Sequence, residues 1–181
     1  MTGLEDLLHR LLHEFERRRT RYALMGGFAL GALGAPRATR DLDFLIHRDD
    51  LAGIHDFLTA AGYKRIHHSA EVSQYSGDLP WGGIDFIHAF RPLALRMIEQ
   101  AASMPSGRLG LDVRVVRPED LIGLKIQALA NDPARLHKEI ADIEALLSVR
   151  SAVDWGRVKE YCDLFHQDAL YADLEKRFRH V

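Results

Sequence analysis

The sequence predicts an α/β fold of the α+β kind: a small, mixed, twisted sheet of about four or five strands flanked by helices, then an all-helical C-terminal part. Three observations carry this expectation. A short apolar run, Tyr22 to Met25, breaks at Gly26-Gly27 and gives way to a small-residue helical stretch from Phe28 to Leu33. Two runs, Asp41 to Ile46 and Ile84 to Ala89, alternate along the chain with the period of two that a strand requires. Strand-like runs end by Val116, whereas helical periodicity continues to the C-terminal end.

The elements follow in order. Leu4, Leu7, Leu8, Leu11, Leu12 and Phe15 stand at helical spacing and make an amphipathic first helix that ends in the charged run Glu16-Arg17-Arg18-Arg19. Strand 22–25, the glycine turn and helix 28–33 come next, with Gly34 and Pro36 as the stop. In the second strand Leu42, Phe44 and Ile46 share one face, and Asp41, Asp43 and Leu45 the other. Asp49-Asp50 is placed to cap a helix carrying Leu51, Ile54, Phe57 and Leu58, which Gly62 closes. Tyr63 to His67 reads as a short strand, and the polar stretch Ser69 to Gly83 as a hairpin region of little regular structure. Ile84 to Ala89 is a strand, Leu93 to Ala102 a helix, and Leu111 to Val116 a strand. Pro118-Glu119-Asp120 opens a helix through Ala130, and further helices are expected at 133–148, 154–165 and 168–178. The expected division is a core over residues 1–117 and a helical region over 118–181 that closes one side of the cleft.

Composition bounds the function. The 181 residues carry 24 Lys+Arg against 26 Asp+Glu, a net charge of −2, with 47% hydrophobic residues, which suits a globular domain and excludes disorder as the dominant state. Apolar stretches are broken by glycine or charge well short of the roughly 18 residues of a membrane span. The N-terminal stretch is too acidic for a signal peptide, so a cytoplasmic location without a membrane is expected. The single Cys162 permits no internal disulfide and reads as packing rather than as a nucleophile. Balanced charge argues against indiscriminate polyanion binding but leaves room for a local basic patch.

The chemistry concentrates in Met25-Gly26-Gly27-Phe28-Ala29 and Arg37-Ala38-Thr39-Arg40-Asp41-Leu42-Asp43. A double glycine between strand and helix lets the backbone approach a ligand, and the helix start favours an anion such as phosphate. Asp41 and Asp43 point the same way about 6–7 Å apart, a spacing that invites repulsion unless a cation sits between them. Hard oxygen ligands suit Mg²⁺ or Mn²⁺. Two such ions about 3.5–4 Å apart could activate a hydroxyl and hold a triphosphate for in-line displacement. A third carboxylate is wanted, and Asp85, a lone acid in an apolar strand, is the candidate. The bland alternative is that Asp85 pairs with an arginine and that Asp41 and Asp43 line a wet edge.

This pattern resembles the DNA polymerase β-like nucleotidyltransferase superfamily: a Gly-Gly turn, an Arg-x-Thr-x-Asp-hydrophobic-Asp strand and a later isolated Asp, together spanning residues 22–90. The resemblance implies that fold, an NTP substrate cradled by Gly26 and Gly27, and two divalent ions on Asp41, Asp43 and Asp85. Many members carry Ser where this chain has Gly27, which removes one hydroxyl contact to phosphate. A narrower stretch, Pro118-Glu119-Asp120-Leu121-Ile122-Gly123-Leu124-Lys125 with Lys138-Glu139-x-x-Asp142 downstream, is similar to the abortive-infection type of nucleotidyltransferase toxin. That likeness implies that Lys125 and a later acid, Asp142, complete the site, and that a cognate antitoxin is a partner.

Periodicity treats Lys125 independently. Leu121, Ile122, Ala128 and Leu129 flank it at helical spacing, so it lies within the apolar stripe and needs an anionic partner. That partner is either a triphosphate or a structural acid such as Asp142. Arg37, Thr39 and Arg40 precede the paired acids on a loop, where an arginine could grip phosphate or lie solvated and Thr39 could cap the turn. No P-loop, no Gly-x-Gly-x-x-Gly and no nucleophile elbow is present, and the ten histidines lack zinc-site spacing. Trp81 and Trp155 read as packing or loop anchors, Trp81 near enough to the Asp85 strand to line a cleft.

The expected reaction is transfer of a nucleoside monophosphate from an NTP to an acceptor hydroxyl. The acceptor could be RNA, above all tRNA, gripped by Arg17, Arg18, Arg19 and Arg21 and by Lys176, Arg177, Arg179 and His180. A small molecule of aminoglycoside type, a protein hydroxyl, and a non-catalytic module of the same fold are the alternatives.

Overall fold

The computed structural model describes residues 3–77, 82–105, 112–150 and 152–179. Trp81, Leu111 and His180 lie outside the described residues. The chain divides into two compact units, Met1–Ala32 with Arg37–Val116, and Leu33–Pro36 with Arg117–Val181. No helix among the described residues is long and apolar enough to cross a membrane.

The first unit runs α1 (Gly3–Arg18), β1 (Tyr22–Met25), α2 (Gly26–Ala32), β2 (Leu42–His47), α3 (Leu51–Ala60), β3 (Lys64–His68), β4 (Val72–Ser76), β5 (Ile84–Ala89), α4 (Pro92–Glu99), β6 (Ala102–Pro105) and β7 (Asp112–Val115). Its seven strands form one mixed sheet in the order β3-β4-β5-β2-β1-β7-β6. β2 runs parallel to β5 and β1 parallel to β7, and the other neighbours are antiparallel.

One face of the sheet is an aromatic floor. Leu24 stands opposite Phe44, and Phe44 beside Phe86, so all three share that face. Phe15 of α1 meets Phe44 edge-on at 5.2 Å, Phe86 lies stacked on Phe44 at 5.8 Å, and Tyr75 of β4 closes the row at 5.9 Å from Phe86. Such ring pairs contribute about 0.5–1.5 kcal/mol each beyond their area. Anchoring by Phe44 and Phe86 leaves the residues between them, Asp43, Leu45, Asp85 and Ile87, for the opposite face.

The sheet has two strands more than the sequence suggests. β4 lies in the stretch read as irregular. Its Ser73 is buried, yet the hydroxyl is bonded to His88 Nε2 (2.8 Å) and His68 Nδ1 (2.9 Å), so a polar residue occupies a position where periodicity looks for an apolar one. β6 begins where a helix was expected to end; α4 stops at Glu99, and Ala102–Pro105 pair with β7 as a short edge strand. Asp50 precedes α3 but makes no side-chain cap, because its carboxylate accepts from Arg21 N, Nε and Nη2 at 2.8, 3.0 and 2.8 Å. Between β3 and β4 the register shifts at Ile66, which is left 66% exposed. That bulge brings His67 opposite Gln74 and His68 opposite Ser73.

The second unit holds α5 (Pro118–Asn131), α6 (Leu136–Val149), α7 (Trp155–Leu164) and α8 (Asp168–Phe178). Gly123 is a glycine because a Cβ there would stand 2.5 Å from the Tyr161 ring. Tyr161 donates to the fully buried Asp120 at 2.7 Å, and Arg157 Nε donates to the same oxygen at 2.6 Å, so α5 and α7 are joined by a charge-assisted network. Cys162 is buried, with its thiol pushed up by desolvation to about 11, and Trp155 packs edge-on to Tyr171 at 6.2 Å.

Candidate active site

The face opposite the aromatic floor carries a row of polar side chains across adjacent strands. Met25 on β1 stands opposite Asp43 on β2, Asp43 beside Asp85 on β5, Asp85 opposite Gln74 on β4, and Gln74 opposite His67 on β3. Neighbouring strands lie about 4.8 Å apart, so the two residues stand side by side in the sheet. The sequence expectation that Asp43 and Asp85 meet rested on residue type; register supplies the reason.

The glycine turn is shaped around these acids. Gly26 has φ +66°, and a Cβ there would fall 1.9 Å from Asp43 Oδ2, so only a residue without a side chain lets the carboxylate lie against the turn. A Cβ on Gly27 would meet Thr39 Oγ1 at 2.7 Å. Thr39 Oγ1 in turn donates to the Asp41 carbonyl at 3.3 Å, and Arg37 Nη1 donates to the Ala38 carbonyl at 3.0 Å. Arg40 presents its carbonyl to Gly82, where a Cβ would clash at 1.5 Å. Asp41 lies just before β2 and accepts from Gly83 N at 2.9 Å, while Leu42 N donates to the Gly83 carbonyl at 3.0 Å. The segments leading into β2 and β5 are thereby fastened to one another.

Asp85 accepts from Gln74 Nε2 at 3.1 Å; its partner is an amide, not the arginine of the bland alternative. Burial pushes its carboxyl above the ordinary range and the Asp41 charge pushes the same way, against the Gln74 hydrogen bond. Asp85 thus senses the Asp41 charge. Asp41, Asp43 and Asp85 offer hard oxygens, the donors that Mg²⁺ or Mn²⁺ prefers, and the repulsion of Asp85 by Asp41 is what a cation would relieve. Among the described residues no three acids, histidines or cysteines are gathered into a ready metal-holding group, so the ligand's own oxygens would complete any shell. The chemistry of the donor set fits the ion; Gly83 and Gln74 set how two of its members are held.

Lys125, in the second unit, is placed differently. Its ammonium donates to Glu139 Oε2 at 2.9 Å and to Asp142 Oδ2 at 2.5 Å, all three side chains being buried. Arg135 adds two bonds to Glu139 Oε1, at 3.0 and 2.6 Å. Burial of Glu139 works against ionisation, but Lys125 and Arg135 together hold its carboxyl below the usual range. The anionic partner that periodicity demanded is therefore a pair of acids. Sequence reasoning named Asp142 and passed over Glu139, whose spacing of three residues from Asp142 on one helix was the available signal. Gln74, Gly82 and Gly83 were also passed over; Gly82-Gly83 immediately before the Asp85 strand was legible, and Gln74 was not.

A strand ending in a Gly-Gly turn and helix, with aspartates on neighbouring parallel strands beside the turn, is the arrangement of a nucleotidyltransferase. The chain belongs to the family described as uncharacterised nucleotidyltransferase, which it matches over residues 2–169. No curated protein matches the sequence. Among solved structures, the antibiotic-resistance factor ANT(2'')-Ia is similar with a TM-score of 0.64 and 18% identity, covering 97% of each chain. The lincomycin-bound lincosamide antibiotic adenylyltransferase LnuA gives a TM-score of 0.57 at 16% identity, over 81% of this chain and 98% of that one. MenT4, a nucleotidyltransferase toxin from Mycobacterium tuberculosis H37Rv, gives 0.58 at 19% identity, over 87% of this chain and 61% of that one. At these identities the likeness is one of fold.

Proposed function

We propose that this nucleotidyltransferase moves a nucleoside monophosphate from an NTP to a hydroxyl of a small-molecule acceptor, with Mg²⁺ or Mn²⁺ required. The observation that carries the reading is the placement of Asp43 beside Asp85 with the Gly26 turn against Asp43. Asp41, Asp43 and Asp85 would hold two divalent ions, which when bound supply charge neutralisation for the triphosphate and a more acidic hydroxyl. Gly26 and Gly27 receive the phosphates, and Thr39 and Arg40 fix the loop beside them, with Arg37 at its start. The acceptor oxygen attacks the α-phosphorus, the bond from that phosphorus to the β-bridging oxygen breaks, and pyrophosphate leaves. The hydroxyl proton would pass to Asp85, whose hydrogen-bond partner is a neutral amide and not a cation. Lys125 is held by Glu139 and Asp142, and no step is assigned to it.

A small molecule is favoured over RNA by the state of the arginines. Arg17 donates to Glu14 at 2.9 and 2.7 Å, Arg18 is bonded to the same carboxylate, and Arg21 is engaged by Asp50. Arg177 pairs with Glu144 and Asp173, and Arg179 with Glu175. Most of the arginines that read as phosphate grips in sequence are thus already paired with neighbouring acids. The similar folds of ANT(2'')-Ia, an antibiotic-resistance factor, and LnuA, an antibiotic adenylyltransferase, point the same way. The likeness to MenT4, a nucleotidyltransferase toxin, favours a second reading as a toxin, for which the sequence leads one to expect an RNA acceptor and a cognate antitoxin.

Incubation with each α-labelled NTP, Mg²⁺ and, separately, a small-molecule extract, total RNA and lysate protein tests both. Label should enter the small-molecule fraction, and Asp43→Asn should reduce it by about 10²-fold or more. Label in RNA would favour the second reading. No transfer from any NTP, or transfer undiminished in Asp43→Asn, would remove the catalytic reading.

A further inference from the structure

We propose that Gln74 is a positioning residue for nucleotidyl transfer: its side-chain amide fixes the Asp85 carboxylate in the polar row without neutralising it. The proposal rests on the role of Asp85 given above. Gln74 stands opposite Asp85 in the antiparallel β4–β5 register, on the same face, and donates from Nε2 to Oδ2 at 3.1 Å. An ionised carboxylate only accepts hydrogen bonds, so this position must supply a donor. An arginine or lysine there would also donate, but its charge would offset Asp85 and oppose a cation at the same carboxylate. A glutamate would add a third repelling acid to the row. A neutral amide with this reach gives orientation while leaving the negative charge for a ligand. Both ends of the contact lie on strands paired on both sides, β4 by β3 and β5, and β5 by β2 and β4. The oxygen is therefore presented from rigid backbone on each side.

The test is a double-mutant cycle on the full chain between Gln74→Met, which keeps length and volume but removes the donor, and Asp85→Asn. Mn²⁺ affinity is measured by calorimetry, with the metal alone and with a methylene-bridged ATP analogue, alongside a melting curve for each variant. Gln74→Met should melt within a few degrees of the parent and bind Mn²⁺ about 10- to 100-fold more weakly, the usual effect of losing a hydrogen-bond partner of a ligating group. Gln74→Asn, which keeps a donor on a shorter stem, should recover part of the loss. In the Asp85→Asn background Gln74→Met should have no further effect, because the residue acts through Asp85. An unchanged Mn²⁺ affinity in Gln74→Met while Asp85→Asn is impaired overturns the positioning role alone. So do equal losses in both backgrounds, or a lowered melting temperature with Mn²⁺ affinity intact. If Asp85→Asn itself binds Mn²⁺ like the parent, the underlying reading of Asp85 fails and the role of Gln74 with it.

Discussion

Gly26 shows how one residue couples backbone and chemistry. Its left-handed φ and the 1.9 Å separation from Asp43 Oδ2 that a Cβ would have mean that Gly26→Ala must either move the carboxylate or bend the turn. The backbone strain alone costs about 1–2 kcal/mol. A lowered melting temperature together with weakened Mn²⁺ binding is expected, and a variant as stable and metal-competent as the parent would show that the turn does not press on Asp43. Asp85 predicts the opposite sign. Its charge is destabilised by burial and by Asp41, so Asp85→Asn should raise the stability of the ligand-free protein, by about 0.5–2 kcal/mol, as melting curves can establish. Lys125 is bonded within a buried triad with Glu139 and Asp142. Lys125→Met would leave Asp142 without its ammonium and Glu139 with Arg135 alone, at a cost of about 3–5 kcal/mol. A steep fall in melting temperature is expected, and an unaltered melting curve would show that the triad does not hold the helices. The sequence made Lys125 conspicuous without choosing between its two partners, since both lie at long range.

Elements with a clean period were legible, and elements whose polar residues are satisfied internally were not. β2 and β5 announced themselves because one face of each is apolar, and the same alternation placed Asp43 and Asp85 opposite that face. β4 was hidden by Ser73, whose burial depends on histidines from β3 and β5, and the bulge at Ile66 that brings His68 to it has no sequence mark. This cluster carries a pH dependence. The Ala70 carbonyl can only accept, so His88 Nδ1 bears the hydrogen of their 3.1 Å contact, and Nε2 accepts from Ser73. Burial holds the His88 imidazole below its ordinary value of 6.5, with His68 and Arg48 acting the same way against Ala70 and Glu71. The folded value being lower, the unfolded chain takes up the proton first as pH falls. The stability contribution is therefore complete above 6.5 and declines below it towards the folded value. Melting temperatures should drop from pH 7.5 to 5.5 in the parent and more shallowly in His88→Gln; equal slopes would assign the decline to other groups.

At the scale of the whole molecule, charge separates what the chain can attract from what it can hold. Net charge is −2, and most of the arginines that a sequence scan gathers into basic runs are engaged, Arg17 and Arg18 with Glu14, Arg21 with Asp50, Arg177 with Glu144 and Asp173. The acids that neutralise them sit one helical turn away or on a neighbouring segment, which is why a linear reading of the runs overstates their reach. Binding to nucleic acid without sequence preference depends on cations free to displace counterions, and its affinity falls steeply with salt in proportion to their number. In these runs most of the arginines are already paired with carboxylates. Bulk tRNA should therefore bind more weakly than about 10⁻⁴ M at physiological salt, with a shallow slope of log K against log salt. Filter binding or fluorescence anisotropy across 50–200 mM salt measures both quantities. Micromolar affinity with a steep slope would mean that the arginines exchange their carboxylates for phosphates, and would move the acceptor from a small molecule to RNA. Weak, salt-insensitive binding would leave recognition to the polar row, where Gln74 and His67 extend the line of carboxylates toward the sheet edge.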